Sequence, residues 1–180
     1  EARILIPSTG IWMVWLQRTL GVLLVATAAW IASPLIQGGN DGISRNLLVN
    51  GQRQHQIGDV RFSVIESNTQ LDQFLAQAKI EKKLVLLDFY ADWCISCKEM
   101  EVNTFANPEV NKELQQFVLL QADVTKNSGD NQALLKRFGL FGPPGILIFD
   151  LNSEEQKDQR VIGYMPPQRF VERLKKALEY

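Results

Sequence analysis

Two cysteines, Cys94 and Cys97, constrain the fold of this 180-residue chain more than any other feature. They stand in the segment DFYADWCISCKEME (88–101), at the end of the apolar run LVLLDFY (84–90). A continuous apolar run with one acid is typical of a central strand buried on both faces, so a helix should begin at the cysteines. The free N–H groups and the dipole of that helix would favour the thiolate of Cys94, which is the reactive form. The pattern predicts that Cys94 is the nucleophile and that Cys97 resolves the mixed disulfide.

Other uses of a cysteine pair compete with this one. Structural zinc takes four ligands, and the chain offers two cysteines and one distant histidine, His55, so only a metal shared between chains would fit. Haem attachment needs a histidine after the second cysteine, where Lys98 stands. A structural disulfide would restrain little chain entropy over so short a loop, and two inert buried thiols are a further alternative. Redox chemistry is favoured, with no organic cofactor and no metal, because the cysteine pair itself carries the electrons.

The N-terminal region differs from the rest in composition. Residues 19–36, TLGVLLVATAAWIASPLI, carry no charge and can just cross a bilayer, so they are predicted to form one transmembrane helix. A signal peptide and a buried globular helix are the competing interpretations. Residues 37–58 are rich in Gly, Asn and Gln and are predicted to be a linker in which His55 is solvated. The chain begins at Glu1, without Met, which suggests a fragment or a processed product.

Residues 59–180 show the pattern of a single α/β domain. Their alternating and helical periodicities predict the order βαβαβαββα, with a mostly parallel sheet and an antiparallel pair at its end. The expected strands are VRFSVIE (60–66), LVLLDFY (84–90), FVLLQADV (117–124), GILIFD (145–150) and QRVIGY (159–164). The last expected helix, PPQRFVERLKKAL (166–178), is amphipathic.

The segment around the cysteines resembles the active site of the thioredoxin superfamily. Within that superfamily it is most similar to the periplasmic domains of membrane-bound thiol:disulfide interchange proteins. The resemblance covers residues 60–178 and is carried by YADWC-x-x-CKE-x-E (90–101), TF (104–105), LLQADVT (119–125) and ALLKRFGLFGPPGILIFD (133–150). It implies a thioredoxin-like α/β fold, with a central mixed sheet flanked by helices and preceded by a transmembrane helix. The stretch PSTGIWM (7–13) and the apolar residues after it resemble the end of that family's membrane domain, so residues 1–36 are expected to be this end. The family has more than one membrane span near its C-terminus, whereas one is predicted here.

Two acids accompany the cysteines. Asp88 interrupts an apolar strand, and a buried carboxylate costs several kcal/mol unless it is neutral or paired. We expect Asp88 to lie beneath the cysteines and to accept a proton as Cys97 is activated; the alternative is a strand-end acid that reaches water. Glu101 follows Cys97 by four residues on one helix face and would raise the pKa of Cys94; the alternative is a solvated helix charge. The resemblance also implies that the paired acids keep the attacking thiol protonated until a partner docks.

Trp93 and Pro144 complete the predicted site. Trp93 precedes the nucleophile and is expected to cover one side of the disulfide and to contact partners, unless it is a core aromatic. Pro144 aligns with the cis-proline that faces the cysteines in the fold that the resemblance implies. The turn reads GPPG (142–145), where such domains usually carry a single proline followed by Thr, and two trans prolines are the alternative.

The resemblance implies a protein-disulfide reductase at the bacterial inner (cytoplasmic) membrane, with its catalytic domain in the periplasm. Electrons would arrive from cysteines of the membrane domain and leave to periplasmic thioredoxin-like domains or disulfide isomerases. The alternatives are a tethered reductase for cytochrome c maturation, a redox-inactive binding module, and a copper chaperone, which usually needs wider cysteine spacing and a distal histidine. The net charge of −1 gives no indication of a nucleic-acid partner.

Overall fold

The structure is a computed structural model that describes residues 15–27, 45–49 and 52–179. The chain divides into two compact units, which are residues 1–41 and residues 42–180.

In the first unit, residues 15–27 form helix α1. Its apolar side chains, including Leu20 and Leu24, are exposed. No helix within the described ranges is long and apolar enough to cross a membrane. Residues 28–36 of the predicted transmembrane helix lie outside the described residues.

The second unit alternates strands and helices. Its strands are β1 Arg45–Val49, β2 Gln52–Ile57, β3 Val60–Ile65, β4 Leu84–Tyr90, β5 Phe117–Asp123, β6 Gly145–Phe149 and β7 Val161–Ile162. Its helices are α2 Asn68–Glu81, α3 Ile95–Glu99, α4 Pro108–Leu114, α5 Gly129–Arg137 and α6 Pro167–Leu178. A π-helical turn, Met100–Phe105, joins α3 to α4, and a 3-10 turn, Lys157–Gln159, precedes β7. From β3 onward this is the predicted order of strands and helices.

The strands form one mixed sheet in the order β1-β2-β3-β5-β4-β6-β7. Strands β3, β5 and β4 are parallel at its centre, and β6 and β7 continue it antiparallel on one side. On the other side β2 pairs antiparallel with β3, and β1 with β2. The predicted central mixed sheet is therefore confirmed, and the antiparallel hairpin β1–β2 is an addition to the prediction.

The predicted linker is wrong for residues 45–49 and 52–57, because they form β1 and β2 within the sheet. Gly58 and Asp59 connect β2 to β3, and the φ of Gly58 is +56°, which glycine adopts at no steric cost. The polar sequence QRQHQI shows no apolar alternation, which is why composition favours a linker. A Gly-Asp pair between two strand-length runs is nevertheless a hairpin signal, and it is the feature that indicates β2.

Local sequence explains where the helices begin and end. The side chain of Ser67 accepts a hydrogen bond from Gln70 N at the start of α2. Ser128 and Asn131 form a reciprocal capping box at the start of α5. Gly139, with φ of +64°, lies just beyond the end of α5, where the sequence predicts a helix stop. Pro108 occupies the first turn of α4 and separates it from the π-helical turn.

Two apolar clusters cover the two faces of the sheet. The first lies under the π-helical turn, α4 and α6 and includes Phe62, Leu86, Phe105, Leu119 and Phe170. The second lies under α2 and α5 and includes Leu71, Leu87, Leu120 and Leu134, together with Cys94 and Cys97. Burial of both faces explains why β4 and β5 are continuous apolar runs.

Replacement of Phe105 by alanine should destabilise the domain strongly. The ring is fully buried, with its centroid 5.4 Å from that of Phe62 and 5.7 Å from that of Phe170. We expect Phe105→Ala to lower the free energy of unfolding by about 3–5 kcal/mol, measured by urea denaturation. The matched control is Val102→Ala in the same turn, where the side chain is exposed and the change should stay within about 0.5 kcal/mol. Equal losses in the two variants would contradict this packing.

Candidate active site

The cysteines form a disulfide at the beginning of α3. The Cys94–Cys97 bond is 2.10 Å long, and the two Cα atoms are 5.3 Å apart. Cys94 is the N-cap residue of α3, and its Sγ accepts a hydrogen bond from Cys97 N at 3.1 Å. Cys94 is 6% exposed and Cys97 2%, so a partner sulfur reaches Cys94 more easily. The predicted start of the helix at the cysteines is confirmed.

The loop before Cys94 is hydrogen-bonded to the segment that follows β5. Trp93 Nε1 donates to Thr125 O at 3.2 Å, and Asp92 N donates to Thr125 Oγ1 at 2.9 Å. Tyr90 Oη donates to Asp92 Oδ1 at 3.0 Å. Burial, and after it the charge of Glu101, raises the pKa of Tyr90, so this hydroxyl keeps its proton. Trp93 is 61% exposed, so it is not a core aromatic and is available for contact.

Pro144 lies at the start of β6, beside the end of β4. Gly145, the next residue, pairs with Phe89 across the two antiparallel strands. The Sγ of Cys97 lies 3.9 Å from Phe89 O, which places the cis-proline segment and the disulfide at the same end of β4. The peptide bond between Pro143 and Pro144 is cis, as the resemblance predicts, so the alternative of two trans prolines is wrong.

Asp88 is buried on the face of the sheet that carries the first apolar cluster. It is 3% exposed, and Gln121, its register partner on β5, donates from Nε2 to Oδ2 at 3.1 Å. The pKa of Asp88 is raised to about 7, mainly by burial; the hydrogen bond from Gln121 lowers it in part, and the nearby charge of Glu101 contributes to the increase. The alternative of a strand-end acid that reaches water is therefore wrong. A carboxyl that titrates near neutral pH can both take up and release a proton.

Glu101 is also buried, at 5% exposure, so it is not a solvated helix charge. The α-helix that begins at Cys94 ends at Glu99, and Glu101 belongs to the π-helical turn, where Ala106 N donates to Glu101 O at 3.0 Å. The predicted α-helical spacing between Cys97 and Glu101 is therefore interrupted. The structure nevertheless brings Glu101 within electrostatic range of Asp88, as the predicted acid pair requires.

His55 is the site residue that sequence reasoning missed. It lies on β2, is 4% exposed, and its Nδ1 is 2.6 Å from Gln121 Oε1 and 3.5 Å from Glu101 Oε1. The expectation of a solvated linker residue is wrong, because β2 places the imidazole against β5. We call His55, Gln121, Asp88 and Glu101 the buried polar cluster. Within the described part of the chain, no three His, Cys, Asp or Glu residues are grouped so as to hold a metal ion.

Comparison with known proteins shows what this chain resembles. A thioredoxin-like family model matches residues 66–150. The thiol:disulfide interchange protein DsbD of Ralstonia nicotianae is 38% identical over 169 residues, which cover 91% of this chain and 27% of the relative. DsbD of Klebsiella pneumoniae is 39% identical over 165 residues, which cover 92% of this chain and 26% of the relative. The chain thus spans about a quarter of the length of these curated relatives.

A solved structure is similar to this chain over nearly the whole length of the solved domain. The oxidised C-terminal domain of DsbD from Neisseria meningitidis superposes with a TM-score of 0.56 at 37% identity, covering 63% of this chain and 98% of that domain. The predicted enzyme class, a protein-disulfide reductase of the thiol:disulfide interchange type, is the class to which these relatives belong by name.

Replacement of Asp88 by asparagine should change how stability depends on pH. The pKa of this carboxyl is about 7 in the folded chain and its ordinary value is 3.8, so between these pH values the folded chain holds a proton that the unfolded chain has released. Stability from this group is complete below about pH 4 and is lost as pH rises through about 7. Three pH units at 1.36 kcal/mol each give a decline of up to about 4 kcal/mol. Asp88→Asn should remove it, measured by urea denaturation at pH 4 to 8.

The control for this prediction is Asp130→Asn, which changes an exposed acid in the first turn of α5. It should follow the pH course of the unchanged chain. A parallel course for Asp88→Asn and the unchanged chain would contradict the raised pKa.

Proposed function

Because this chain belongs to the DsbD family of thiol:disulfide interchange proteins, we propose that its second unit transfers two electrons by dithiol–disulfide exchange through Cys94 and Cys97. The observation that carries the proposal is the Cys94–Cys97 disulfide at the first turn of a helix, with Cys94 the more exposed sulfur. The N-cap position favours the Cys94 thiolate, and the inner position of Cys97 suits the resolving thiol.

The proposed reaction starts from the reduced pair and a partner disulfide. The Cys94 thiolate attacks one partner sulfur, the partner S–S bond breaks, and the leaving partner thiolate takes up a proton. Cys97 then gives up its proton and attacks Cys94 Sγ, which forms the Cys94–Cys97 bond and releases the second partner sulfur. The pair loses two electrons and two protons, and the partner disulfide becomes a dithiol. The reverse sequence recharges the pair from a donor dithiol.

We propose that Asp88 receives the proton of Cys97 in the resolving step. Its raised pKa supports this, because a carboxyl that titrates near pH 7 can hold the proton and then pass it on. Glu101 is proposed to act electrostatically, since a second buried acid disfavours nearby negative charge and keeps Cys94 protonated before a partner docks. Both acids are more than nine-tenths buried, where charge is screened least.

The proposed docking surface surrounds the exposed edge of Cys94. Trp93 and Ile95 flank this cysteine and are 61% and 75% exposed. Phe141, fully exposed, precedes the cis-proline segment, and Ile162, 62% exposed, pairs with Gly145 on β6. Exposed aromatic and aliphatic side chains next to a reactive group are typical of a protein-binding surface. The partners that we propose are thioredoxin-like proteins of the periplasm and disulfide isomerases.

We further propose that residues 19–36 anchor the chain in the bacterial inner membrane, with the second unit in the periplasm. The absence of charge over these residues and the exposed apolar side chains of α1 support this. In this arrangement electrons arrive from cysteines of the membrane domain.

A redox titration tests the proposal. The full chain is equilibrated in glutathione and dithiothreitol buffers. The change in its total tryptophan fluorescence, to which Trp93 beside the disulfide contributes with three other tryptophans, reports the state of the disulfide. We expect one reversible two-electron transition between about −200 and −270 mV, the range of reducing relays. Cys94→Ser and Cys97→Ser should each abolish the transition, and only Cys97→Ser should accumulate a mixed disulfide with a partner. A value near about −120 mV would indicate a disulfide donor instead, and no transition would leave a binding module.

Replacement of Glu101 by glutamine should lower the pKa of the Cys94 thiol. Removing a buried carboxylate removes repulsion of the thiolate, and we expect a decrease of about one pH unit. The measurement is the rate of alkylation of the reduced chain against pH. Glu99→Gln, an exposed acid on α3, is the matched control and should leave the pKa within about 0.3 unit. An unchanged pKa in Glu101→Gln would argue against an electrostatic role.

A further inference from the structure

Within the buried polar cluster, His55 and Asp88 lie on opposite sides of Gln121. Gln121 stands between them, with its Oε1 2.6 Å from His55 Nδ1 and its Nε2 3.1 Å from Asp88 Oδ2. All three side chains are at most 4% exposed. The amide of Gln121 therefore contacts both the imidazole and the carboxyl.

The hydrogen positions follow from the chemistry of the three groups. An ionised carboxylate only accepts hydrogen bonds, so the NH₂ of Gln121 has to face Asp88 when Asp88 is charged. The carbonyl of the same amide then faces His55 and also only accepts, so Nδ1 has to carry a hydrogen. A neutral His55 is thereby held as the Nδ1–H tautomer. Reversal of the amide would bring two acceptors together at the Asp88 contact and two donors together at the His55 contact.

We propose that His55 is a positioning residue of the thiol–disulfide site, which donates from Nδ1 to Gln121 Oε1 and so keeps the Gln121 NH₂ directed at Asp88. The inference rests on the proposed function in that Asp88 is the group whose proton transfer is tuned. Without this donor, the amide can turn its carbonyl toward Asp88, and the carboxylate loses the hydrogen bond that favours its charged form. The acid would then hold its proton to higher pH.

The other charged and titratable groups around the imidazole are few among the described residues. Glu101 Oε1, from the π-helical turn, is 3.5 Å from Nδ1, and the ring of Tyr90 on β4 packs edge-on at 5.7 Å. Arg53, on the same strand as His55, is engaged by Glu66 and lies 3.8 Å from Asp123. On β6, the residue that pairs with Asp88 is Ile146, which is apolar. Gln121 thus directs an N–H hydrogen toward Asp88.

The first measurement needs no variant. His55 is the only histidine of the chain, so its ring gives one set of NMR signals. At pH 8, above the titration of Asp88, ¹⁵N chemical shifts of the oxidised full chain should show a hydrogen on Nδ1 and none on Nε2. A ring protonated at Nε2 alone would overturn the inference, because Nδ1 would then have nothing to donate.

Two matched variants distinguish the effect of the Nδ1–H donor from the effect of the rest of the His55 side chain. His55→Asn retains an N–H donor near the position of Nδ1, whereas His55→Leu fills the site with no donor. The readout is the pH midpoint of the Asp88 carboxyl, followed by carboxyl ¹³C NMR, together with the pH–rate profile of oxidation by glutathione disulfide. We expect an upward shift of about one pH unit in both measurements for His55→Leu, from loss of a charge-assisted hydrogen bond. His55→Asn should stay near the unchanged chain.

Gln121→Leu provides the second route to the same effect. It should shift the Asp88 midpoint as His55→Leu does, and the double variant should shift it no further, because both changes remove one hydrogen-bond chain. Equal shifts in His55→Asn and His55→Leu, or no shift in either, would overturn the inference. Failure of the proposed function is distinct: the rate profile would then lose its dependence on Asp88, while the carboxyl midpoint would still report on His55.

Discussion

The hydrogen bond from Gln121 to Asp88 joins the two central parallel strands at the point where the active site begins. A carboxyl in this position loses its hydration, and burial without a partner would cost several kcal/mol. The amide supplies one donor, and the raised pKa shows that this compensates only part of the cost. The site therefore retains an acid that is neutral or charged according to small changes around it, and such an acid suits proton transfer at neutral pH.

The disulfide and Asp88 belong to opposite faces of the sheet. The disulfide packs with the second apolar cluster, whereas Asp88 follows Leu86 on the strand face of the first. The disulfide lies at the carboxyl end of β4, since the carbonyl of Phe89, the residue after Asp88, is 3.9 Å from Cys97 Sγ. This end of a parallel strand is where α/β folds usually place their sites. Asp88 and the disulfide are thus near the same end of β4 and belong to opposite faces of the sheet.

Most of the fold from β3 onward could be predicted because its signals are local. Apolar runs, helical periodicity and the Cys-x-x-Cys pair each point to one element, and Asp88 stands out as an acid in an apolar strand. Glu101 is buried within a π-helical turn, and no residue pattern in the sequence predicts such a turn. His55 and Gln121 could not be assigned from sequence, since their meaning lies in a contact between residues 66 positions apart. The strand that carries His55 is polar and lacks the alternation by which strands are recognised.

The position of β2 bears on where this domain can be cut. A fragment that began at residue 59 would keep both cysteines, the acids and the cis-proline, and would satisfy the usual definition of a thioredoxin-like domain. It would nevertheless lose both β1 and β2, expose one edge of β3, and open the buried polar cluster to water. The proposed functional unit therefore includes β2 and is larger than a domain that begins at β3.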